Sequence, residues 1–262
     1  MKKKGEILRL AREGLFPLYG KEGEAPTGMR ITGTVQGEGK LTGMPSLFLR
    51  LFGCNLDCVW QLPSGELCAC DTPSAFKEGM PVKSVSVNEL ATQILMAMPH
   101  LNHLVVTGGE PFLQADSLFL LVQALKERRG DLHVTIETNG TLFHEALASV
   151  VDLVSISPKL ASSFAGKTQL KEVDIRVIQA FLSLRVERKG MDLQLKFVVS
   201  SPRDEAEIHR ILAQLVSYEK EDILLMPLGN TPQIIAANTP MVLEMAIRNN
   251  WRYAQRLHVA LF

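Results

Sequence analysis

The chain has 262 residues, 46% of them hydrophobic, and its 28 basic and 28 acidic side chains cancel. A core of that size needs no disulfide staple, and zero net charge argues against general affinity for nucleic acid or for an anionic membrane. No apolar run approaches the roughly 18 residues of a membrane helix, and Glu6, Arg9, Arg12 and Glu13 break up any export signal behind Met1-Lys2-Lys3-Lys4, so the expected setting is the reducing cytoplasm.

Residues 1–28 are charged, Gly-rich toward their end, and read as an N-terminal extension: a short helix and a loop ahead of one core domain over 29–262. From residue 45 apolar runs alternate with amphipathic segments of helix length. Strands are predicted at Leu47–Phe52, His103–Thr107, His133–Glu137, Leu153–Ile156, Leu193–Val199, Ile223–Met226 and Trp251–Val259. Helices are predicted at Val87–Met98, Gln114–Arg129, Leu142–Val150, Glu172–Glu187, Asp204–Glu219 and Thr239–Asn249, with Pro202 and Asn238-Thr239-Pro240 at expected helix starts. Such alternation implies βαβ units, a mostly parallel sheet and an α/β barrel or partial barrel. His103 and His133 open predicted strands and read as packing or surface residues.

Chemically active residues follow the strands. Cys54 comes after the first, Gly108-Gly109-Glu110 after the second and Glu137-Thr138-Asn139-Gly140 after the third, followed by Ser157-Pro158-Lys159 and Met226-Pro227-Leu228-Gly229. Polar groups at successive strand C-terminal ends converge on one face, where such barrels build their sites.

All four cysteines, Cys54, Cys58, Cys68 and Cys70, fall in one loop over residues 53–72, which points to a metal centre. Four thiolates would suit tetrahedral zinc, but Cys68 and Cys70 stand only one residue apart, closer than the pairs of structural zinc sites. Three thiolates would instead suit an iron–sulfur cluster with one iron left open to a small molecule. Arg50 sits in an otherwise apolar strand. It is either turned to solvent by alternation or kept for an anionic partner, since a buried unpaired guanidinium is costly. Asp71-Thr72-Pro73 is compatible with a turn or helix cap as well as with a hard-cation site.

Gly53-Cys54-Asn55-Leu56-Asp57-Cys58 with Cys70-Asp71-Thr72 resembles the cluster loop of the radical S-adenosylmethionine superfamily. Val35-Gln36-Gly37-Glu38-Gly39, Phe48-Leu49-Arg50, Thr107-Gly108-Gly109-Glu110-Pro111, Glu137–Gly140 and Ser157–Lys159 make it most similar to the 7-carboxy-7-deazaguanine synthase family of queuosine precursor synthesis. The usual spacing of three residues and then two is kept from Cys54 to Cys58 but stretched to eleven before Cys70, which leaves Cys68 or Cys70 as third ligand; Cys70, directly before Asp71-Thr72, is favoured.

The resemblance implies a partial (β/α) barrel of the TIM-like kind and a [4Fe-4S] cluster on Cys54, Cys58 and Cys70. It implies S-adenosylmethionine held by Gly109, Glu110 (through its carboxylate or nearby backbone carbonyls), Ser157, Pro158, Lys159 and the Met226, Pro227, Leu228, Gly229 segment. It places a pterin substrate at Val35, Gln36, Gly37, Glu38, Arg50, Thr107 and the Phe262 carboxylate, and Mg²⁺ at Thr72. The implied reaction converts 6-carboxy-5,6,7,8-tetrahydropterin to 7-carboxy-7-deazaguanine with loss of ammonia, in a homodimer reduced by a partner such as flavodoxin or ferredoxin. Two other readings stay open: an activase of a glycyl-radical enzyme, and a zinc-stabilised binding module.

Overall fold

The computed structural model describes residues 6–18, 31–62, 64–167 and 173–261. The first half comprises β1 (Ile7–Phe16), β2 (Thr34–Val35), β3 (Pro45–Leu51), β4 (Val59–Gln61), β5 (Leu67–Ala69), β6 (Lys83–Ser86), α1 (Val87–Ala97), β7 (His103–Gly108) and α2 (Ala115–Arg128). Then come β8 (His133–Thr138), α3 (Glu145–Ala148), β9 (Leu153–Ile156), α4 (Ile175–Glu187), β10 (Asp192–Val199) and α5 (Asp204–Leu212). The chain closes with β11 (Ile223–Pro227), α6 (Pro232–Asn249), β12 (Arg252–Tyr253) and α7 (Leu257–Leu261).

Strands β3, β7, β8, β9, β10, β11 and β12 run parallel in the order β12-β11-β10-β9-β8-β7-β3, and β1 and β6 extend the sheet beyond β3 without closing it among the described residues. This is the mostly parallel α/β sheet that the alternation predicts, in open rather than closed form. A separate two-stranded ribbon pairs β4 with β5.

Alternation along each strand divides the sheet into two faces. Leu47, Leu49, Leu51, Leu104, Val106, Val134, Ile136, Leu195 and Phe197 belong to one core with the helices. Each such side chain withdrawn from water stabilises the fold by about 2 kcal/mol. The intervening residues, among them Arg50, Thr107, Glu137 and Lys196, face away from the helices. Helix starts are capped as their sequences suggest: the Ser86 hydroxyl accepts from Glu89 N–H, and Asp174 accepts from Arg176 N–H at 3.0 Å.

Several boundaries depart from expectation. The helix expected within residues 1–28 is the strand β1, paired antiparallel with β3 and β6; Leu8 and Leu10 are buried at alternate positions while Arg9 is exposed. Helix α6 begins at Thr231-Pro232 rather than at Asn238, because the Thr231 hydroxyl caps Ile234 N–H and the buried Asn238 amide donates to the Leu228 carbonyl. Helix α5 ends at Leu212 rather than at 219, and Ser217 beyond it has φ of 64°. Helix α3 is confined to Glu145–Ala148 by the His144 ring, which caps Leu147 N–H. The strand expected over Trp251–Val259 is only β12. The chain leaves the sheet after Ala254 N–H donates to the Leu225 carbonyl, and it turns into α7.

Candidate active site

The cluster loop leaves β3 at Gly53 and is pressed against the loop after β7. Gly53 O accepts from Glu110 N–H at 2.7 Å, and a Cβ on Gly109 would lie 2.1 Å from that oxygen and 2.7 Å from Cys54 Cβ. Only glycine permits this approach. The long spacer is folded away as the β4–β5 hairpin, in which Val59 pairs with Ala69 and Trp60 with Cys68. Continued one step, the ladder sets Cys58 opposite Cys70, whose N–H donates to the Cys58 carbonyl at 3.1 Å.

Cys54, Cys58 and Cys70 share one environment. Burial pushes all three thiols up, Cys58 to about 11, and each also feels the Lys159 ammonium and at least one other charged neighbour in the loop or beside it. Cys54 and Cys70 act on Cys58, and Cys54 acts on Cys70, whereas Cys68 responds, after burial, to Asp71, Arg256 and Glu66 and to none of the other cysteines. Cys58 and Cys70 stand opposite each other across the ribbon, and Cys54 packs against the apolar cluster to which Cys58 and Cys68 belong. Among the described residues no three His, Cys, Asp or Glu side chains converge tightly enough to grip a single metal ion.

An iron–sulfur cluster fits this nest. Buried thiols become thiolates when a bound cation compensates them. Leu56, Trp60, Phe164 and Leu228 form an apolar wall beside them, and the buried Trp60 indole N–H finds no acceptor among the described residues. A donor buried without a partner marks where another group belongs.

Glu110 is buried and acts as a knot. Its carboxylate accepts from Phe112 N–H at 2.9 Å, the Thr138 hydroxyl at 2.8 Å and Asn139 N–H at 2.8 Å, joining the ends of β7 and β8. These three bonds leave Oε2 with capacity for one more donor, and the backbone carbonyls of the Gly109–Glu110 turn lie beside it. Asn139 in turn donates to Asn55 at 3.0 Å, which anchors the cluster loop to the β8 end. Lys159 Nζ donates to the Ser157 hydroxyl at 2.8 Å and lines a small recess with Leu56, Asn139, Gly140 and Phe164, while Pro158 is buried behind it. Met226, Pro227 and Leu228 are buried at the end of β11, and Gly229 follows with φ of +155°.

The segment after β2 crosses the side of the sheet opposite the helices. Val35 pairs with Pro45, and Gln36 exchanges backbone bonds with Met44 and Gly43, which closes a tight loop. The buried Gln36 amide donates to Glu137 Oε1 at 3.1 Å, and the Thr107 hydroxyl donates to Glu137 Oε2 at 2.9 Å. Glu38 pairs with Lys196 through Oε2 and with Arg256 through Oε1 at 3.0 Å. Burial opposes ionisation, but Lys196, Arg256 and His258 hold the Glu38 carboxyl far below its ordinary range. Gly37 lies under His258, where any Cβ would come within 2.2 Å of Nδ1, and its carbonyl accepts from Leu257 N–H at 2.8 Å.

Arg50 is not turned freely to solvent. Its guanidinium lies 4.9 Å from the centre of the Phe16 ring, donates to the Thr72 hydroxyl at 3.3 Å and stands 3.9 Å from Glu13, while Nε is buried without a hydrogen-bond partner. Thr72 donates in turn to Asp71 at 3.2 Å. The structure thus gathers Gln36, Gly37, Glu38, Arg50 and Thr107 near the sheet's polar face; Phe262 lies outside the described residues. Sequence reasoning missed four members: Glu137, Lys196, Arg256 and His258. Lys196 carried a usable signal, a lone charge at an alternate position of an apolar strand, and Glu137 lay within a motif already noted. Arg256 and His258 carried none.

A model of the radical SAM superfamily matches residues 50–171. A 7-carboxy-7-deazaguanine synthase of Halobacterium salinarum is 35% identical over 249 residues, covering 87% of this chain and 87% of that protein. One from Rhodopirellula baltica is 32% identical over 231 residues, covering 87% and 82%, and one from Escherichia coli K12 is 29% identical over 233 residues, covering 86% and 93%. The crystal structure of QueE from Escherichia coli shares the fold, with a TM-score of 0.65 at 22% identity over 98% of this chain and 100% of that one.

Proposed function

The chain belongs to the 7-carboxy-7-deazaguanine synthase family of radical S-adenosylmethionine enzymes, and we propose that it contracts 6-carboxy-5,6,7,8-tetrahydropterin to 7-carboxy-7-deazaguanine with release of ammonia. Membership replaces both rival readings, the glycyl-radical activase and the zinc-stabilised module. The observation that carries the substrate assignment is the run Cys70-Asp71-Thr72. Cys70 belongs to the thiol nest, Asp71 meets Arg256 beside Glu38, and Thr72 meets Arg50, so cofactor and pterin groups are neighbours along one short stretch.

Cys54, Cys58 and Cys70 would hold the cluster; Lys159, Ser157, the Gly109–Glu110 backbone and the Met226–Gly229 segment would hold S-adenosylmethionine. When bound, these groups would supply the radical chemistry that removes a hydrogen from carbon 6 of the pterin. The protein's part is placement. Glu137, steadied by Gln36 and Thr107, presents carboxylate oxygens to the amino and amide edge of the pterin, and Arg50 offers guanidinium N–H groups to the substrate carboxylate. Thr72 and Asp71 provide hard oxygens for Mg²⁺, whose remaining positions water and substrate would fill. The Phe16 ring and the Gly37 backbone wall the site. The enzyme works as a homodimer and receives electrons from a flavodoxin- or ferredoxin-like protein; among the described residues no helix is long and apolar enough to cross a membrane.

Pterin deuterated at carbon 6 tests the assignment. The label is expected in 5′-deoxyadenosine; unlabelled 5′-deoxyadenosine formed alongside turnover would remove carbon 6 as the site of attack.

A further inference from the structure

Arg256 lies between β12 and α7, with its side chain only 13% exposed. Its three kinds of guanidinium nitrogen go to three acceptors. Nε donates to Glu38 Oε1 at 3.0 Å, Nη1 to the Gly229 carbonyl and Nη2 to Asp71 Oδ2. These acceptors sit on three segments far apart in sequence: the loop after β2, the loop after β11 and the end of the cluster loop. The other Glu38 oxygen takes Lys196, so two carboxylates, Glu38 and Asp71, are balanced by two cations, Lys196 and Arg256. His258 completes the surroundings, with Nε2 at 3.9 Å from Glu38.

A planar guanidinium fixes the directions of its N–H groups, so bonding three segments at once fixes their mutual placement. Lysine, a point charge on a flexible stem, could neutralise one carboxylate but could not hold all three segments in register. On the function proposed above, each segment serves a different ligand: the Gln36–Glu38 loop, whose Gly37 backbone walls the site, the pterin; Gly229 the S-adenosylmethionine; and Asp71-Thr72 the Mg²⁺. We propose that Arg256 is a positioning residue that couples these three loops, so that ordering one by its ligand favours binding at the others. Arg256 itself touches no reacting atom. The Leu257 N–H bond to the Gly37 carbonyl, next to it in sequence, keeps the arginine over the loop it governs.

Two full-length variants, Arg256→Lys and Arg256→Gln, reconstituted anaerobically with their cluster, test this. Hydrogen exchange should rise together over residues 36–39, 70–72 and 227–229 in Arg256→Lys, with iron content unchanged. Calorimetric affinity for the carboxypterin and the Mg²⁺ concentration for half-activation should each worsen about tenfold, with KM moving more than kcat. If Arg256→Gln does not fold, the lysine variant carries the test. Exchange that changes in one segment alone, or wild-type exchange and affinity in Arg256→Lys, would overturn the coupling. Failure of the wild-type enzyme to bind the carboxypterin would instead strike the substrate assignment, since the exchange experiment does not depend on it.

Discussion

The backbone N–H of Cys70 donates to the carbonyl of Cys58 at 3.1 Å, although eleven residues intervene. The hairpin of β4 and β5 folds the insertion away and returns the third thiol to its place. Cys68 lies two residues along the same ladder, paired with Trp60, and its charged neighbours are Asp71, Arg256 and Glu66. Cys68→Ser should therefore retain full iron and sulfide and the brown colour of the reconstituted protein. Cys70→Ser should lose stable cluster binding. Iron analysis checks both, and an empty Cys68→Ser protein would reverse the ligand assignment.

Gly109 tests whether the cluster loop needs close packing. A methyl group there would overlap Gly53 O and Cys54 Cβ, so Gly109→Ala must displace the loop or the turn after β7. Neither segment belongs to the helix-packed core, and the expected result is a folded protein with normal far-ultraviolet circular dichroism that takes up little iron. Full cluster loading in Gly109→Ala would show that the approach is dispensable.

Arg50 should matter through its fork. Charge-assisted hydrogen bonds contribute about 1.5–3 kcal/mol, so Arg50→Lys, which cannot reproduce bidentate binding, should weaken carboxypterin affinity by about 10- to 100-fold. S-adenosylmethionine affinity should be unchanged. Calorimetry on the loaded enzyme reads both; equal losses for the two ligands would make Arg50 a structural residue.

Much of this site was legible because strand alternation is a two-residue rule. Arg50, and in retrospect Lys196, stand out as lone charges at alternate positions of apolar strands, and the motifs at the ends of β7, β8, β9 and β11 could be placed from periodicity alone. Strand β1 was hidden because its Leu8 and Leu10 alternate for only a few residues before the bulge around Gly14, and the charges of Arg9, Arg12 and Glu13 look helical. The apolar C-terminal run looks like a strand, yet beyond Ala254 it turns away from the sheet and the Leu257 N–H donates to the Gly37 carbonyl, which no local pattern announces. Arg256 was unreadable for the same reason: its three acceptors lie up to 218 positions away.

His103 gives a pH signature unrelated to catalysis. It is buried between the Ser46 hydroxyl at 2.7 Å and the Thr135 hydroxyl at 2.8 Å, and burial, with His133 beside it, holds its pKa at about 4. An unfolded histidine takes up its proton near 6.5, so between that pH and about 4 the unfolded chain binds more protons than the folded one. Stability contributed by neutral His103 is present above pH 6.5 and falls by about 3 kcal/mol as pH drops through this window. Urea midpoints at pH 7 and pH 5 should differ less in His103→Gln than in the wild type. An unchanged difference would mean that His103 does not set the slope.

The central claim is the ring contraction, and its direct measurement is anaerobic turnover with S-adenosylmethionine, a reductant, Mg²⁺ and 6-carboxy-5,6,7,8-tetrahydropterin, read by mass. The expected product is lighter than the pterin by one ammonia, with the mass and retention of authentic 7-carboxy-7-deazaguanine. Cleavage of S-adenosylmethionine to 5′-deoxyadenosine with the pterin recovered intact would contradict it.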